Sequence, residues 1–309
     1  MNLLIDWGTR KLVGKINDKI YKEIFYDYEE HPPCGDVQSI YTASEKLIKC
    51  KIRHMIKKVG RVNRDIINVY FAGQYDEYEQ ALKIAKIRTG IKEVGYYFIV
   101  DPTLLYYIRF SGLGYNPFIV IDIGYFFSRI YLYFNTYELG DTIINNIGIG
   151  DGISSIFSKW ADYIYSTYSI DSITLEELER SYVAIIKNED RENIEIVKKY
   201  QISLSDLEIL MYNHFQEIVS QIYRTIYNQP KEITSSVFKN GIIILTGGGS
   251  YNRILFKMIK EDFASIKLNV VQSGTSEIDL IKGLEIFTKN EEKYVKSFSQ
   301  YVAYLKSMR

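Results

Sequence analysis

Short, continuous apolar runs punctuate the chain, and longer segments between them repeat their apolar positions every three or four residues. The short runs at 3–6, 11–16, 66–71, 94–100, 118–123, 128–134 and 242–245 predict β-strands. Phe118-Ile119-Val120-Ile121 contains no polar residue, the pattern of a strand covered on both faces. Residues 140–149 predict further extended chain, and Val270-Val271 a last short strand. The longer period predicts helices over 40–58, 76–89, 103–111 and 152–165, then from Thr174, over 203–227, from about Asn252, and over 278–288. In the second of these, Tyr78, Ala81, Leu82 and Ala85 share a face, and Gly90 stops it. Thr174-Leu175-Glu176-Glu177 has the form of a capping box, a hydroxyl N-cap with Glu three residues on. Residues 17–38 read as polar and irregular, broken by Pro32-Pro33 and Gly35. Residues 187–202 read as an exposed hairpin or loop. Strands alternate with helices, and hairpins come early in each half. That pattern argues an α/β protein of two related lobes.

Length and charge narrow the function classes. The chain has 309 residues, enough for about two domains at roughly 100–200 residues each. Lys+Arg and Asp+Glu are equal at 38 each, so no global field draws the chain to nucleic acid or an anionic membrane. Direct nucleic-acid binding is not expected, and a DNA linkage would pass through an adaptor protein. The only cysteines are Cys34 and Cys50, which argues against a disulfide framework and for a reducing cytoplasm. His31, His54 and His214 lie far apart in sequence and form no metal-ligand pattern. The first residues lack the basic start of a signal peptide. No run approaches the roughly 20 apolar residues of a membrane span. The 28 tyrosines are read as compositional bias without functional content.

Three segments share one plan, a buried strand running straight into a turn with Gly, hydroxyl or Asp. They are Ile5-Asp6-Trp7-Gly8-Thr9, Ile121-Asp122-Ile123-Gly124 and Ile244-Leu245-Thr246-Gly247-Gly248-Gly249. Glycine lets backbone N–H groups approach a phosphate, because no β-carbon intervenes. A strand-end Asp can hold Mg²⁺ through its waters. Each segment by itself also fits an ordinary turn, though a triple glycine between a strand and a helix is more specific.

The order and spacing of these segments resemble the actin-like ATPase superfamily, the MreB, ParM and actin type, with the pattern nearest to MreB. Leu4-Ile5-Asp6-Trp7-Gly8-Thr9 resembles the first phosphate loop. Val100-Asp101-Pro102, a short helix, Gly112-Leu113-Gly114 and Val120-Ile121-Asp122-Ile123-Gly124 resemble the acidic-Pro helix leading into the second. Residues 146–151 resemble the later Gly-Gly-Asp segment, 243–249 with Asn252 the adenosine motif, and Gly283-Leu284-Glu285 the closing helix. The resemblance implies an α/β fold of the actin/hexokinase/Hsp70 (ribonuclease H-like) type, two lobes around a nucleotide cleft. Its expected divisions are 1–136 as lobe I with a small subdomain at about 17–65, 137–282 as lobe II, and 283–309 as a helix returning to lobe I.

Carried onto this sequence, the resemblance implies ATP or GTP with Mg²⁺. Asp6 and Asp122 would flank the metal, holding it through water. Gly8, Thr9, Arg10 and Gly124 would line the phosphates, with Gly150 and Asp151 nearby. Gly247, Gly248 and Gly249 would back the adenosine and α-phosphate. Asp101 stands where the family has a residue that orients the attacking water; a helix start with Pro102 in its first turn is the other reading. Glu177 and Arg180, three apart on one helix face, would reach the base or ribose, the alternative being a solvated face. Two features depart from the family. Tyr125-Phe126-Phe127 replace glycines in the second loop, which implies slow hydrolysis or binding without turnover. Arg10 and Lys11 follow Thr9, as cations that would offset lost amide contacts.

The function implied is a nucleotide-binding protein, an ATPase that assembles into cytoskeletal filaments for cell shape, intracellular organisation or DNA segregation. The alternative is a non-polymerising actin-fold scaffold binding nucleotide and a partner protein, as in pilus assembly. A small-molecule kinase of the wider fold ranks last. Segment 16–66 is shorter than the family's small subdomain, which bears on filament geometry. In 290–309, Tyr294, Val295, Phe298, Tyr301, Val302 and Leu305 share a face with lysines elsewhere. Packing of that face on lobe I is favoured over peripheral membrane contact.

Overall fold

The computed structural model describes residues 2–8, 11–16, 18–24, 67–73, 94–111, 117–135, 142–148, 152–187, 195–197, 200–229, 231, 235, 238–239 and 241–294. The helices expected over 40–58 and 76–89 lie outside these residues. So do Thr9, Arg10, Gly150 and Asp151. The chain divides into two compact units, Met1–Tyr115 with Glu277–Arg309, and Asn116–Ser276.

In the first unit, β1 (Asn2–Trp7) forms a hairpin with β2 (Lys11–Ile16), which pairs in turn with β3 (Lys19–Ile24). On its other side β1 pairs in parallel with β4 (Ile67–Ala72), and β4 with β5 (Val94–Val100), giving the order β3-β2-β1-β4-β5. In the second unit, β6 (Phe118–Ile123) forms a hairpin with β7 (Ser128–Asn135), which pairs with β8 (Thr142–Gly148). On its other side β6 pairs in parallel with β11 (Ile242–Thr246), and β11 with β12 (Asn269–Gln272). The order β12-β11-β6-β7-β8 is the first sheet's order read from the other end. The two units thus repeat one topology. Strands β6 and β7 fall in the second unit. The reason is that β6 is laddered to β11 from Phe118↔Ile242 to Asp122↔Thr246.

Apolar patterning explains which strands are central. β11 is buried at every position, and β6 at all but Asp122, as parallel neighbours covered on both faces require. β3 escaped the sequence reading because it is an edge strand with little apolar content. Tyr21 is buried, whereas Ile20 is 43% exposed. A small hairpin of β9 (Glu195–Val197) and β10 (Tyr200–Gln201) falls in the segment read as hairpin or loop.

The helices fill in around these sheets. In the first unit α1 (Pro102–Ser111) follows β5 directly. In the second unit α2 (Ser155–Tyr168), α3 (Leu175–Lys187), α4 (Leu204–Tyr227) and α5 (Arg253–Ala264) enclose one core with the sheet. The chain then returns to the first unit with α6 (Asp279–Lys289). The capping box at Thr174 is closed. Glu177 Oε2 accepts from the Thr174 N–H at 2.8 Å and its hydroxyl at 2.7 Å, and the Glu177 N–H donates back at 3.3 Å.

α1 and α6 pack closely because Gly283 has no side chain. A β-carbon there would lie 2.7 Å from the Leu105 carbonyl oxygen. Beside it, Arg109 Nε donates to Asp279 Oδ1 at 3.3 Å, so the buried carboxylate is paired. Gly283→Ala is expected to destabilise the protein by about 1–3 kcal/mol through overpacking, read as a lowered urea midpoint. The start of the terminal segment packs on this unit: Tyr294 stacks on Phe287 with centroids 6.3 Å apart, and Tyr70 donates to Glu291 at 2.9 Å. Residues 295–309 lie outside the described residues.

Lysines on β2 and β3 reach the returning segment. Lys15 Nζ meets Glu285 Oε2 at 2.8 Å, and Lys11 meets Glu277 at 3.1 Å, with Lys22 also on Glu277. The hydrogen bond from Lys15 holds the Glu285 carboxyl below its ordinary value, with burial opposing. A depressed carboxylate contributes stability above its unfolded pKa and loses it as pH falls through the folded value. Wild type should therefore lose stability as pH falls below about 4.3, and Glu285→Gln should show a shallower loss there in thermal melts. Lys11 is engaged with Glu277.

Candidate functional site

The repeated topology places equivalent residues at equivalent sheet edges. Asp6, next to last in β1, is level with Ala72 at the end of β4, which is level with Val100 of β5. Asp101 comes next in the chain. The carboxyl edge of the parallel strands in this unit therefore gathers Asp6, Gly8, Gly73 and Asp101. The β1–β2 turn is closed by Gly8, whose N–H donates to the Lys11 carbonyl at 2.9 Å. In the second unit Asp122, next to last in β6, is level with Thr246 of β11. Its hairpin turn is closed in the same way, Gly124 N–H to the Phe127 carbonyl at 3.0 Å. Both units thus carry Asp-x-Gly at the end of the central strand, with the glycine amide bonding three residues on. Carboxyl edges of parallel strands are where ligands bind in open α/β sheets.

The glycine turn after β11 is held by packing. Gly247 has φ +79°, and a β-carbon there would strike Asp122 Oδ1 and lie 2.5 Å from the Ile123 carbonyl oxygen. A β-carbon on Gly249 would lie 2.8 Å from Ile153 Cγ1. At Gly248 a β-carbon would meet nothing within 4 Å. Two of the three glycines are required by the fold, and the middle one faces open space. Ser250 Oγ donates to the Gly247 carbonyl at 2.8 Å, and Gln272 Nε2 to the Ser250 carbonyl at 2.7 Å. Asn252 then caps α5, accepting from Ile254 and Leu255 N–H at 2.9 and 3.1 Å. Its amide donates to Tyr182 at 2.9 Å. Burial pushes the Tyr182 phenol far above its ordinary value, against the pull of that bond.

The aromatic turn 124–127 is built in, where sequence reading saw only bulk. Tyr125 donates to Glu179 on α3 at 2.6 Å, and its ring lies 6.2 Å from Phe157. Its carbonyl accepts from the Ser154 N–H at 2.7 Å, while Gly124 accepts from Ile153 at 3.2 Å. Gly152 has no room for a side chain, since a β-carbon would lie 2.5 Å from the Tyr125 carbonyl oxygen. The signal for this packing was present in the sequence as a lone glycine next to Asp151, and Glu179 gave none. Directly after the turn, the buried Ser128 hydroxyl has no hydrogen-bond partner among the described residues.

Other candidates sit as follows. Asp101 Oδ1 accepts from the Thr103 N–H at 2.7 Å, so the side chain caps α1 with Pro102 in the first turn. Glu177 is occupied in the capping box, and Arg180 pairs with Glu176 at 2.5 Å on an exposed face. This is the solvated-face arrangement. Among the described residues, no group of three or more His, Cys, Asp or Glu is gathered to hold a metal. A hard cation here would rest on one or two carboxylates, its waters and phosphate oxygens. In each unit, a strand-end carboxylate beside a glycine-closed turn fits a hydrated cation and a phosphate oxygen. Among the described residues no helix is long and apolar enough to cross a membrane.

No protein-family model matches the sequence, and no curated protein matches it. Solved structures do. MreB5 of Spiroplasma citri bound to AMPPNP is 17% identical, with a TM-score of 0.68, covering 96% of this chain and 98% of that one. A non-polymerisable quadruple mutant of pCBH ParM is 12% identical, with a TM-score of 0.63, covering 93% and 99%. Ta0583, an archaeal actin homolog, is 11% identical, with a TM-score of 0.62, covering 94% and 99%. Identities this low speak to architecture, and coverage this complete leaves little of any of the chains outside it: this chain is built on the actin-like fold.

Proposed function

We propose that this chain binds a nucleoside triphosphate with Mg²⁺ at its Asp-x-Gly turns and assembles with copies of itself into cytoplasmic filaments. The observation that carries the reading is the repeated construction, one carboxylate and one glycine-closed hairpin at the same place in both units. Two equivalent turns and an open Gly248 match the needs of a polyphosphate, which takes backbone amides and a hydrated cation together. Asp6 and Asp122 would hold the cation through water. Gly8, Thr9, Arg10 and Gly124 would meet the phosphates, with Gly150 and Asp151 beside them, and Gly248 would lie along the nucleoside side. When bound, Mg²⁺ would neutralise phosphate charge. Filament formation is supported by likeness to MamK, one structure of which is a double helical filament, at 14% identity and a TM-score of 0.56. The filament would serve cell shape, intracellular organisation or, through an adaptor protein, DNA segregation.

Hydrolysis is proposed to be slow. Asp101 would orient the attacking water, yet it also caps α1 through one carboxyl oxygen. Asp101→Asn preserves the cap and removes the charge, so the two duties separate. It should slow phosphate release by about 10²-fold with an unchanged melting temperature. Equal rates in variant and wild type would remove Asp101 from this role. Assembly is tested by ultracentrifugation of the full chain with and without ATP. A nucleotide-dependent pellet supports filaments, and a soluble protein at tens of micromolar with bound nucleotide refutes them.

A further inference from the structure

His214 is fully buried on α4, and nothing in the nucleotide reading uses it. The Ser155 hydroxyl, at the start of α2, donates to the Gly152 carbonyl at 2.6 Å. His214 Nε2 lies 3.0 Å from the same hydroxyl oxygen. A serine has one hydrogen to give. With that hydrogen on Gly152, the proton between Ser155 and His214 comes from Nε2–H, which also stands 3.5 Å from the Gly152 carbonyl. On the far side of the ring, Nδ1 lies 3.7 Å from Glu217 Oε2, itself held by Lys159 at 2.5 Å. The imidazole is therefore tied from α4 to the start of α2 through Nε2.

Gly152 is where this chain of bonds meets the candidate phosphate turn. Its α-carbon is pressed against the turn, for a β-carbon would lie 2.5 Å from the Tyr125 carbonyl oxygen and 2.6 Å from the Phe126 carbonyl carbon. The next two amides, of Ile153 and Ser154, donate to the Gly124 and Tyr125 carbonyls. Backbone 152–154 is thus the surface on which turn 124–127 rests. The aromatic turn lacks the family's glycines, so its placement depends on such outside support.

We propose that His214 is a positioning residue for the anion turn. Through Ser155 and the Gly152 carbonyl it sets the backbone that holds residues 124–127 in place for phosphate. The proposal rests on the nucleotide reading of that turn. Its physical basis is that hydrogen bonds among buried polar groups rigidify the segments they join. Displacements of the order of 1 Å in a positioning shell are felt strongly at the ligand.

The test uses the full chain and two substitutions at one site. His214→Leu keeps helix propensity and apolar volume while removing the donor. His214→Gln places an amide near Nε2 and restores it. Hydrogen exchange without nucleotide is the first readout. Amides of 124–127 and 152–155 should exchange faster in the Leu variant and return towards wild type in the Gln variant, with α5 unchanged in both. Unchanged exchange in the Leu variant, or a rise that Gln does not reverse, overturns the proposal. The second readout is AMPPNP affinity with magnesium, expected to fall about tenfold in the Leu variant and to recover in the Gln variant. Wild type binding AMPPNP with the Leu variant matching it overturns the role of His214 alone. Wild type failing to bind overturns the nucleotide reading itself, so the two failures are distinct.

Discussion

Gly247→Ala is expected to lower nucleotide affinity by about a hundredfold, the largest functional effect of any single methyl group in this chain. The added carbon would strike Asp122 Oδ1 and sit 2.5 Å from the Ile123 carbonyl oxygen, at a backbone φ of +79°. Left-handed strain and overpacking each cost about 1–3 kcal/mol, so relief must come from moving the turn or the aspartate. Either movement disturbs a carboxylate and an amide turn together. Gly248→Ala is the control, because its β-carbon would meet nothing within 4 Å. The control should melt like wild type and bind nucleotide less tightly only if the ligand lies along that face. Calorimetric titration of AMPPNP into both variants, beside thermal melts, separates strain in the turn from loss of a contact. Equal affinity in wild type and Gly247→Ala would mean that nucleotide does not use this turn.

Trp160→Ala should produce the largest loss of stability, about 3–5 kcal/mol. Trp160 is fully buried in the core of the second unit, between Phe157 at 5.9 Å and Tyr182 at 6.5 Å. Its indole N–H also donates to the Leu207 carbonyl at 2.9 Å, joining α2 to α4. Truncation would leave a cavity and remove the indole's hydrogen bond in one stroke. Trp160→Phe keeps most of the volume and loses only the bond, so it should cost far less, about 1–2 kcal/mol. Denaturant unfolding followed by circular dichroism measures both. A smaller loss for Ala than for Phe would contradict the packing described.

Much of this fold was legible because its central strands are strongly apolar. Phe118-Ile119-Val120-Ile121 and Ile242-Ile243-Ile244-Leu245 announce strands covered on both faces, and they became the middle strand of the second sheet and its parallel neighbour. The capping box at Thr174 was equally plain, since its geometry follows from four adjacent residues. The edge strand β3 was not legible, because an edge strand buries little and Lys19, Lys22 and Glu23 hide its alternation. The division into units was not legible for a different reason. Hairpin β6–β7 is local in sequence, whereas the ladder from β6 to β11 spans more than a hundred residues, and only that ladder decides the unit to which the hairpin belongs.

The candidate site divides along the same line. Asp6, Asp122 and the glycine turns stood out because strand-end Asp-x-Gly is a local pattern. The distinct duties of Gly247, Gly248 and Gly249 depend on Asp122, Ile123 and Ile153, which come near them only in the folded unit. The aromatic residues at 125–127 looked like an obstruction to phosphate. Their anchoring through Glu179 and Gly152 rests on contacts made across the fold. The same holds for His214 and Ser155, which are 59 residues apart.

Nucleotide binding at the Asp-x-Gly turns is the proposal on which the function rests. Isothermal titration of ATP, and separately GTP, into the full chain with magnesium tests it most directly. Saturable one-to-one binding of at least one of the two is expected, weakened in Asp122→Ala. An absence of measurable heat and affinity for both nucleotides, with the protein folded by circular dichroism, would contradict it.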